Sequence, residues 1–396
     1  MKVASFGRAA AILSVASLAL VACNGDDTEN GDDNGTDEND TVDTDNGDDT
    51  DAEETDEDNG EASGDMDYSS LSGDLSGSGA SSFQLAIQEW ALEFPNLTAG
   101  VNVDYDAVGS GDGRANFLNG ADSFAGSDAL MSDEEFAQSQ ERCGENGAFH
   151  LPTAILPIAV GVNLEGVDSL VLDGETIAQI FAGEITSWDD EAIASLNDGV
   201  DLPDTAITVV HRQDSSGTTE NFTDYLNQAT DTWTWEADSE WPGEVSAETG
   251  DGSSGVISAA QSVDGAITYV DAQQAEDGGL TLVELEIGGE TSAPSAEAAA
   301  QAVASSELRG GQAENDMGFE LARATDEPGA YPIVQVAYTI WCNEYDSAEE
   351  AELAAGFAHY ITSAEAQQIA ADVAGAAPLN DDLISQAHEA ISQISG

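Results

Sequence analysis

The sequence predicts an α/β fold of two lobes on parallel sheets, and three observations carry the prediction. Beyond residue 69, short apolar runs alternate with amphipathic ones, and strand and helix in turn imply parallel sheets with right-handed crossovers. The stretch 69–396 is too long for one small core. Three turns rich in Gly, Ser and Thr each lead into a helical pattern, and ligands of such sheets bind there, beyond the strand C-termini.

Taken in order, the chain opens with Lys2 and Arg8, then an apolar, Ala-rich run from Ala9 to Ala22. Charged-then-apolar is the layout of a secretory signal, and the run is too short to span a bilayer. It ends in Leu20-Val21-Ala22-Cys23, which resembles the lipobox of bacterial lipoproteins. That resemblance implies a signal peptide over 1–22 and lipidation of Cys23; an ordinary cleaved signal with a chance Cys is the alternative. Each buried methylene of an acyl chain contributes about 0.8 kcal/mol, so several chains would anchor stably. Residues 23–68, mostly Asp, Glu, Gly, Asn and Thr, have no apolar period and read as a disordered acidic linker. A flexible tract of that length reaches about 40 Å.

Within the folded part, Val101-Asn102-Val103-Asp104-Tyr105 alternates like a strand, and Ala154 to Val162 is continuously apolar, as in a strand buried on both faces. Thr176 to Phe181 reads as a short helix and Ala206 to Val210 as a buried strand. Ser215 to Leu226 and Ser253 to Ser262 read as helices, with a strand from Ala266 to Val270. A strand from Ile333 to Trp341 and a helix from Ala348 to Ile361 follow.

The formal net charge is -72, and Lys2 is the only lysine. Such self-repulsion destabilises a compact state at low salt and is screened at high salt, which points to a halophilic acidic surface. It also argues against nucleic acid as a partner. Cys143 and Cys342 remain after Cys23. In an exported chain such a pair is a candidate disulfide; two free thiols are the alternative. The four histidines, His150, His211, His359 and His388, show no metal-ligand spacing. No GxxxxGK[ST] loop is present, so a P-loop is unsupported.

The three turns are Gly77-Ser78-Gly79-Ala80-Ser81-Ser82-Phe83, Gly109-Ser110-Gly111-Asp112-Gly113-Arg114 and His211-Arg212-Gln213-Asp214-Ser215-Ser216-Gly217-Thr218-Thr219. Small residues let backbone N–H groups approach an anion, and a helix N-terminus adds about half a positive charge. Each turn taken singly also reads as an ordinary N-cap.

On these residues the chain resembles the phosphate-binding proteins of ABC phosphate importers, from about Leu71 to the C-terminus. The Arg-x-Asp-x-Ser-Gly-Thr pattern of the family is matched by Arg212, Asp214, Ser216, Gly217 and Thr218. Ser187-Trp188-Asp189-Asp190-Glu191-Ala192-Ile193 and Gly265-Ala266-Ile267-Thr268-Tyr269-Val270 are similar to family segments. The second turn puts a ligand serine at Ser110, and Ser127-Asp128-Ala129 resembles the family Ser-Asp-Ala, whose Asp contacts the ligand. The first turn carries one residue more than the family's Gly-Ala-Gly-Ala-Thr-Phe, so Ser82 or Ser81 stands for the Thr, before Phe83.

The resemblance implies a two-lobed periplasmic-binding-protein-like fold of type II, closing about two hinge crossings near Pro157 and Ile333. Residues 69–157 plus 333–396 form lobe I and 158–332 lobe II, with both cysteines in or beside lobe I. It implies an extracytoplasmic, lipid-anchored monomer that takes up inorganic phosphate for ABC permease subunits, with no cofactor, no metal and no catalysis. Ser82, Ser110, Ser216 and Thr218 would donate hydroxyls; Phe83, Gly217 and Thr218 backbone N–H; Arg212, paired with Asp214, would clamp the anion. Asp128 would accept the proton that phosphate keeps and sulfate lacks. Arg114 either touches the anion or faces solvent. Receptors for sulfate or molybdate, and a secreted phosphatase, are the competing readings.

Overall fold

The computed structural model describes residues 66–243, 245, 247–324 and 329–396. The expected signal, Cys23 and the acidic tract to residue 65 lie outside the described residues. The chain runs β1 (Ser72–Gly79), α1 (Gln84–Glu93), β2 (Gly100–Asp106), α2 (Ser110–Leu118), β3 (Phe124–Ser127), α3 (Asp133–Arg142) and the long β4 (Ala148–Asn163). It continues through β5 (Leu170–Leu172), α4 (Gly174–Phe181), α5 (Glu191–Leu196), β6 (Thr208–Arg212), α6 (Gly217–Ala229), β7 (Glu248–Gly250), α7 (Gly252–Gln261) and β8 (Ala266–Asp271). Then come α8 (Ala272–Asp277), β9 (Thr281–Ile287), β10 (Glu290–Ser292), α9 (Ala296–Val303), β11 (Glu307–Leu308) and β12 (Phe319–Glu320). The last elements are β13 (Val334–Cys342), α10 (Ala348–Ile361), α11 (Ala364–Ala374) and α12 (Asp381–Ile391).

Strand order is β2-β1-β3-β13-β4-β8-β6-β7. The continuously apolar β4 is buried on both faces almost to its end, and it serves two halves. From Ala148 to Pro157 it pairs with β13; from Ile158 to Asn163 it pairs with β8. Pro152 and Pro157 lack a ladder donor. The register slips beside Pro152, between Ala337 and Tyr338, and the switch of partner comes just after Pro157. Each half has its own core. Phe83, Trp90, Phe124, Trp341 and Phe357 centre the first, and Ile158, Phe181, Trp188, Phe222 and Tyr269 the second.

Two expectations change. The sheets are mixed: β1, β2 and β3 run parallel, as do β6, β7 and β8, but β13 runs antiparallel to β3 and β4, and β4 to β8. Strands that cross between halves return without a βα crossover, so nothing forces them parallel. The last part of the span expected in lobe II also packs on the first half. Alanines of α9 share a cluster with Ile155 and Val336. Met317 sits in the first core and donates its N–H to His150 O at 3.0 Å. Asp316 accepts from His150 N at 2.7 Å and lies 2.6 Å from Nδ1. Cys143, at the end of α3, is disulfide-bonded to Cys342, the last residue of β13.

Strand β1 was hidden in its Gly/Ser composition, which disfavours strands. Its small residues are needed for close approach. A Cβ on Gly79, at φ +145, would lie 1.9 Å from Gly126 O, and one on Gly113 of α2 would lie 2.3 Å from Gly79 Cα.

Candidate functional site

The three Gly/Ser/Thr turns converge. Ser82 precedes α1, Ser110 opens α2 and Ser216 caps α6, and between them lies Asp128, just after β3. Ser82 Oγ donates to Asp128 Oδ1 at 2.6 Å, and Thr218 Oγ1 to Oδ2 at 3.4 Å. Asp128 N donates to Ser110 Oγ at 3.1 Å. A Cβ on Gly217 would stand 2.6 Å from Ser110 Oγ and 2.8 Å from Asp128 Cβ. Residues of both halves are therefore in contact, and the cleft is closed. Ser82, Ser110, Asp128, Arg212, Ser216 and Thr218 are each at most 4% exposed.

Helix ends supply the field. Nine of the described α-helices, α3 to α6 and α8 to α12, have a side-chain N-cap; only α1, α2 and α7 have none. All three of these N-termini abut this cluster: α1 and α2 point their dipoles toward it with no capping side chain of their own, while the first N–H groups of α7 donate to Asp214 Oδ1 at 3.0 Å and Ser81 Oγ at 3.1 Å. Ser216 does cap its helix, accepting from Thr219 N at 3.2 Å, and its O–H is still a donor. Phe83 is the N-cap residue of α1.

Arg212 ends β6 and grips Asp214 with two hydrogen bonds, one of 2.7 Å from Nε. Burial pushes the Asp214 carboxyl up, but the Arg212 hydrogen bonds and charge outweigh it, and the pKa lies below the usual range. Asp128 goes the other way. Burial raises it to about 6, against the Ser82 hydrogen bond and the Arg212 charge. The site is thus a nest of neutral donors and one paired guanidinium, with one carboxylate acceptor inside it. That suits an oxyanion that still carries a proton.

The two serines of the first turn make different contacts. Ser82 faces Asp128, whereas Ser81 Oγ accepts from Ser253 N at 3.1 Å. Arg114 is not solvent-facing: it is buried, pairs with Glu135 at 2.9 Å and donates to Ser127 Oγ at 3.0 Å, beside Asp128. His211 stacks on Trp241, and its Nδ1 lies 2.7 Å from Arg212 O. Among the described residues, no three His, Cys, Asp or Glu side chains are placed to share a metal ion.

Four neighbours escaped the sequence reading. The α7 N-terminus, at Gly252-Ser253, touches both Asp214 and Ser81; its Asp-Gly-Ser-Ser-Gly run carried the same signal as the other turns. Asp271, Gln274 and Asn221 are buried beside the cluster, but a single amide or carboxylate inside an element carries no motif.

A family model described as a PBP superfamily domain matches residues 44–365. The chain is 32% identical to phosphate-binding protein PstS 3 of Mycobacterium tuberculosis, over 100% of both chains. It is 31% identical to phosphate-binding protein PstS of Xylella fastidiosa, over 67% of this chain and 71% of that one. A solved high affinity periplasmic phosphate-binding protein, bound with phosphate, superposes with a TM-score of 0.64 at 23% identity, over 79% of this chain and 92% of that one. A human phosphate binding apolipoprotein does so at 0.63 and 22%, over 78% and 92%. These structural likenesses speak for the fold.

Proposed function

The chain belongs to the family of phosphate-binding proteins within the PBP superfamily, and from that membership we propose that it is an extracytoplasmic receptor capturing inorganic phosphate for an ABC importer. The observation that carries the reading is the buried Asp128 carboxylate among hydroxyl donors. In this reading, helix N-termini, serine and threonine hydroxyls and Arg212 hold the phosphate oxygens. Asp128 accepts from the proton that phosphate retains. A fully ionised anion meets a carboxylate with nothing to give it, and a buried group left unpaired can reject a ligand by about 10⁴-fold. That requirement disfavours sulfate and molybdate. The convergent hydroxyls, helix N-termini and Arg212 support capture of an anion, and the named relatives are binding proteins.

Calorimetric titration with phosphate, arsenate and sulfate tests the reading; equal affinity for sulfate would overturn it. Asp128→Asn keeps the shape, removes the charge and adds an N–H₂ donor. Its phosphate-to-sulfate ratio is expected to fall well below that of the native chain. Arg212→Ala is expected to weaken both anions by about 10- to 100-fold, as befits loss of a charged hydrogen bond. Lipid anchoring at Cys23 and a monomeric state complete the proposal. Cys23→Ser should leave the membrane fraction or remain unprocessed, and unchanged fractionation and mobility would count against the anchor.

A further inference from the structure

We propose that Asn221 and Gln274, two buried amides of the second half, act as closure clasps that set how long the bound anion stays; the proposal rests on the phosphate reading above. Gln274, in α8, donates from Nε2 to Ser81 O at 3.0 Å and Ser82 O at 2.9 Å, and also to Asp271 Oδ2 at 2.9 Å. Asn221, in α6, donates from Nδ2 to Asp128 O at 2.7 Å and Gly217 O at 2.8 Å. Each amide thus reaches across the cleft to a main-chain carbonyl of the first half. Each is also less than one-tenth exposed.

The carbonyls they choose are informative. Ser82 C=O belongs to the peptide whose N–H is that of Phe83, and Gly217 C=O to the peptide whose N–H is that of Thr218. Those are two of the three backbone N–H donors assigned to the anion. A hydrogen bond accepted at one end of a peptide polarises the group and strengthens its N–H as a donor, by roughly 10–30% per bond in condensed-phase estimates. One amide therefore does two things: it ties the halves together and sharpens a donor that faces the ligand.

Asn221 is itself held. Arg323 Nη2 donates to Asn221 Oδ1, while its Nε donates to Asp224 Oδ2 at 2.5 Å and its Nη1 to Val334 O at 2.7 Å and Pro332 O at 3.2 Å. Val334 opens β13, the second crossing between the halves. The same guanidinium thus fixes the clasp and the hinge strand, so rotation about the hinge must break this chain of bonds or carry it along. Neither amide carries charge, so the clasps favour closure over any anion that fits and do not read its proton. They are positioning residues, distinct in role from Asp128.

Stopped-flow phosphate binding on Asn221→Ala, Gln274→Ala and the double variant tests this. Each single loss is expected to raise the dissociation rate about tenfold, and the pair about 100-fold, as two independent net hydrogen bonds would. Association rate and the phosphate-to-sulfate ratio should stay within about twofold. Gln274→Glu should raise dissociation more than Gln274→Ala, since a carboxylate would face two carbonyls and Asp271. Melting without phosphate shows that each variant folds; where an alanine variant does not, Asn221→Ser and Gln274→Met replace it. A dissociation rate unchanged in both single variants, or a shift in selectivity as large as the shift in rate, overturns the proposal. If the native chain binds no phosphate, the phosphate reading fails by itself. The clasps are then judged by small-angle scattering, where the double variant must show a larger radius of gyration than the native chain, and an equal radius refutes them.

Discussion

At the scale of the residue, the informative group is a carboxylate that burial makes reluctant to ionise. Asp128 is raised to about 6, with burial the largest cause. A carboxyl whose folded pKa is raised holds its proton in the native state below that value and loses it above. The native chain therefore binds more protons than the unfolded one between about pH 4 and pH 6, and this group's contribution to stability falls as pH rises through that window. For binding, protonated Asp128 is a donor and ionised Asp128 an acceptor. Selectivity for phosphate over sulfate is therefore expected to be full above about pH 7 and to shrink as pH falls through 6 toward 4.5. Asp128→Asn should show a flat ratio over the same range. Titrations with both anions at each pH check this; a native ratio that is also flat removes Asp128 as the proton reader. The sequence made Asp128 visible because it stands in a short pattern, Ser127-Asp128-Ala129. It could not make Asp271 visible, though burial raises that group to about 7, because nothing local separates it from a strand-end N-cap.

At the scale of the element, the site is a meeting of helix starts, and closure depends on how little they carry. Gly217 opens α6, and a Cβ there would meet Ser110 Oγ at 2.6 Å, Asp128 Cβ at 2.8 Å and Ala129 N at 2.9 Å. Those atoms belong to the opposite half. Gly217→Ala should therefore leave the folded halves intact and hold them apart, with phosphate affinity reduced at least tenfold and melting temperature without ligand shifted by less than about 2 °C. Unchanged affinity would mean that the halves close less tightly around the anion than the geometry implies. Elements with clear periods were legible: Ala348–Ile361 is the helix expected, and the apolar run at Ala154 is the buried core of β4. β1 was not, since Ser72–Gly79 trades strand propensity for close packing under α2. That α9 and Met317 pack on the first half as well was not legible either. An Ala-rich helix buries its face against whichever apolar surface the topology offers, and the sequence does not name that surface.

At the scale of the whole molecule, the question is how an anion approaches a chain of net charge -72. Among the described residues no basic side chain is exposed. Arg114, Arg323 and Arg309 lie within salt-bridge reach of Glu135, Asp224 and Asp316, while Arg142 covers the Phe117 ring and Arg212 holds Asp214. Every described arginine is buried or half-buried against a partner, so none of them stands free to draw an anion from a distance. The long-range field is repulsive, and attraction begins only near the helix N-termini, within about a turn of the site. Repulsion between like charges slows encounter, and salt relieves it: the Debye length falls from about 10 Å at 0.1 M to about 3 Å at 1 M. The phosphate association rate is therefore expected to rise with potassium chloride, by something on the order of tenfold between those concentrations, whereas electrostatically steered association falls steeply with ionic strength. Dissociation occurs from a closed, buried site and should change little over the same range. Stopped-flow traces at constant pH separate the two rates. A rate of association that is flat or falls with salt would mean that Arg212 and the helix ends project their field beyond the acidic surface, and that the charge of the chain does not govern encounter.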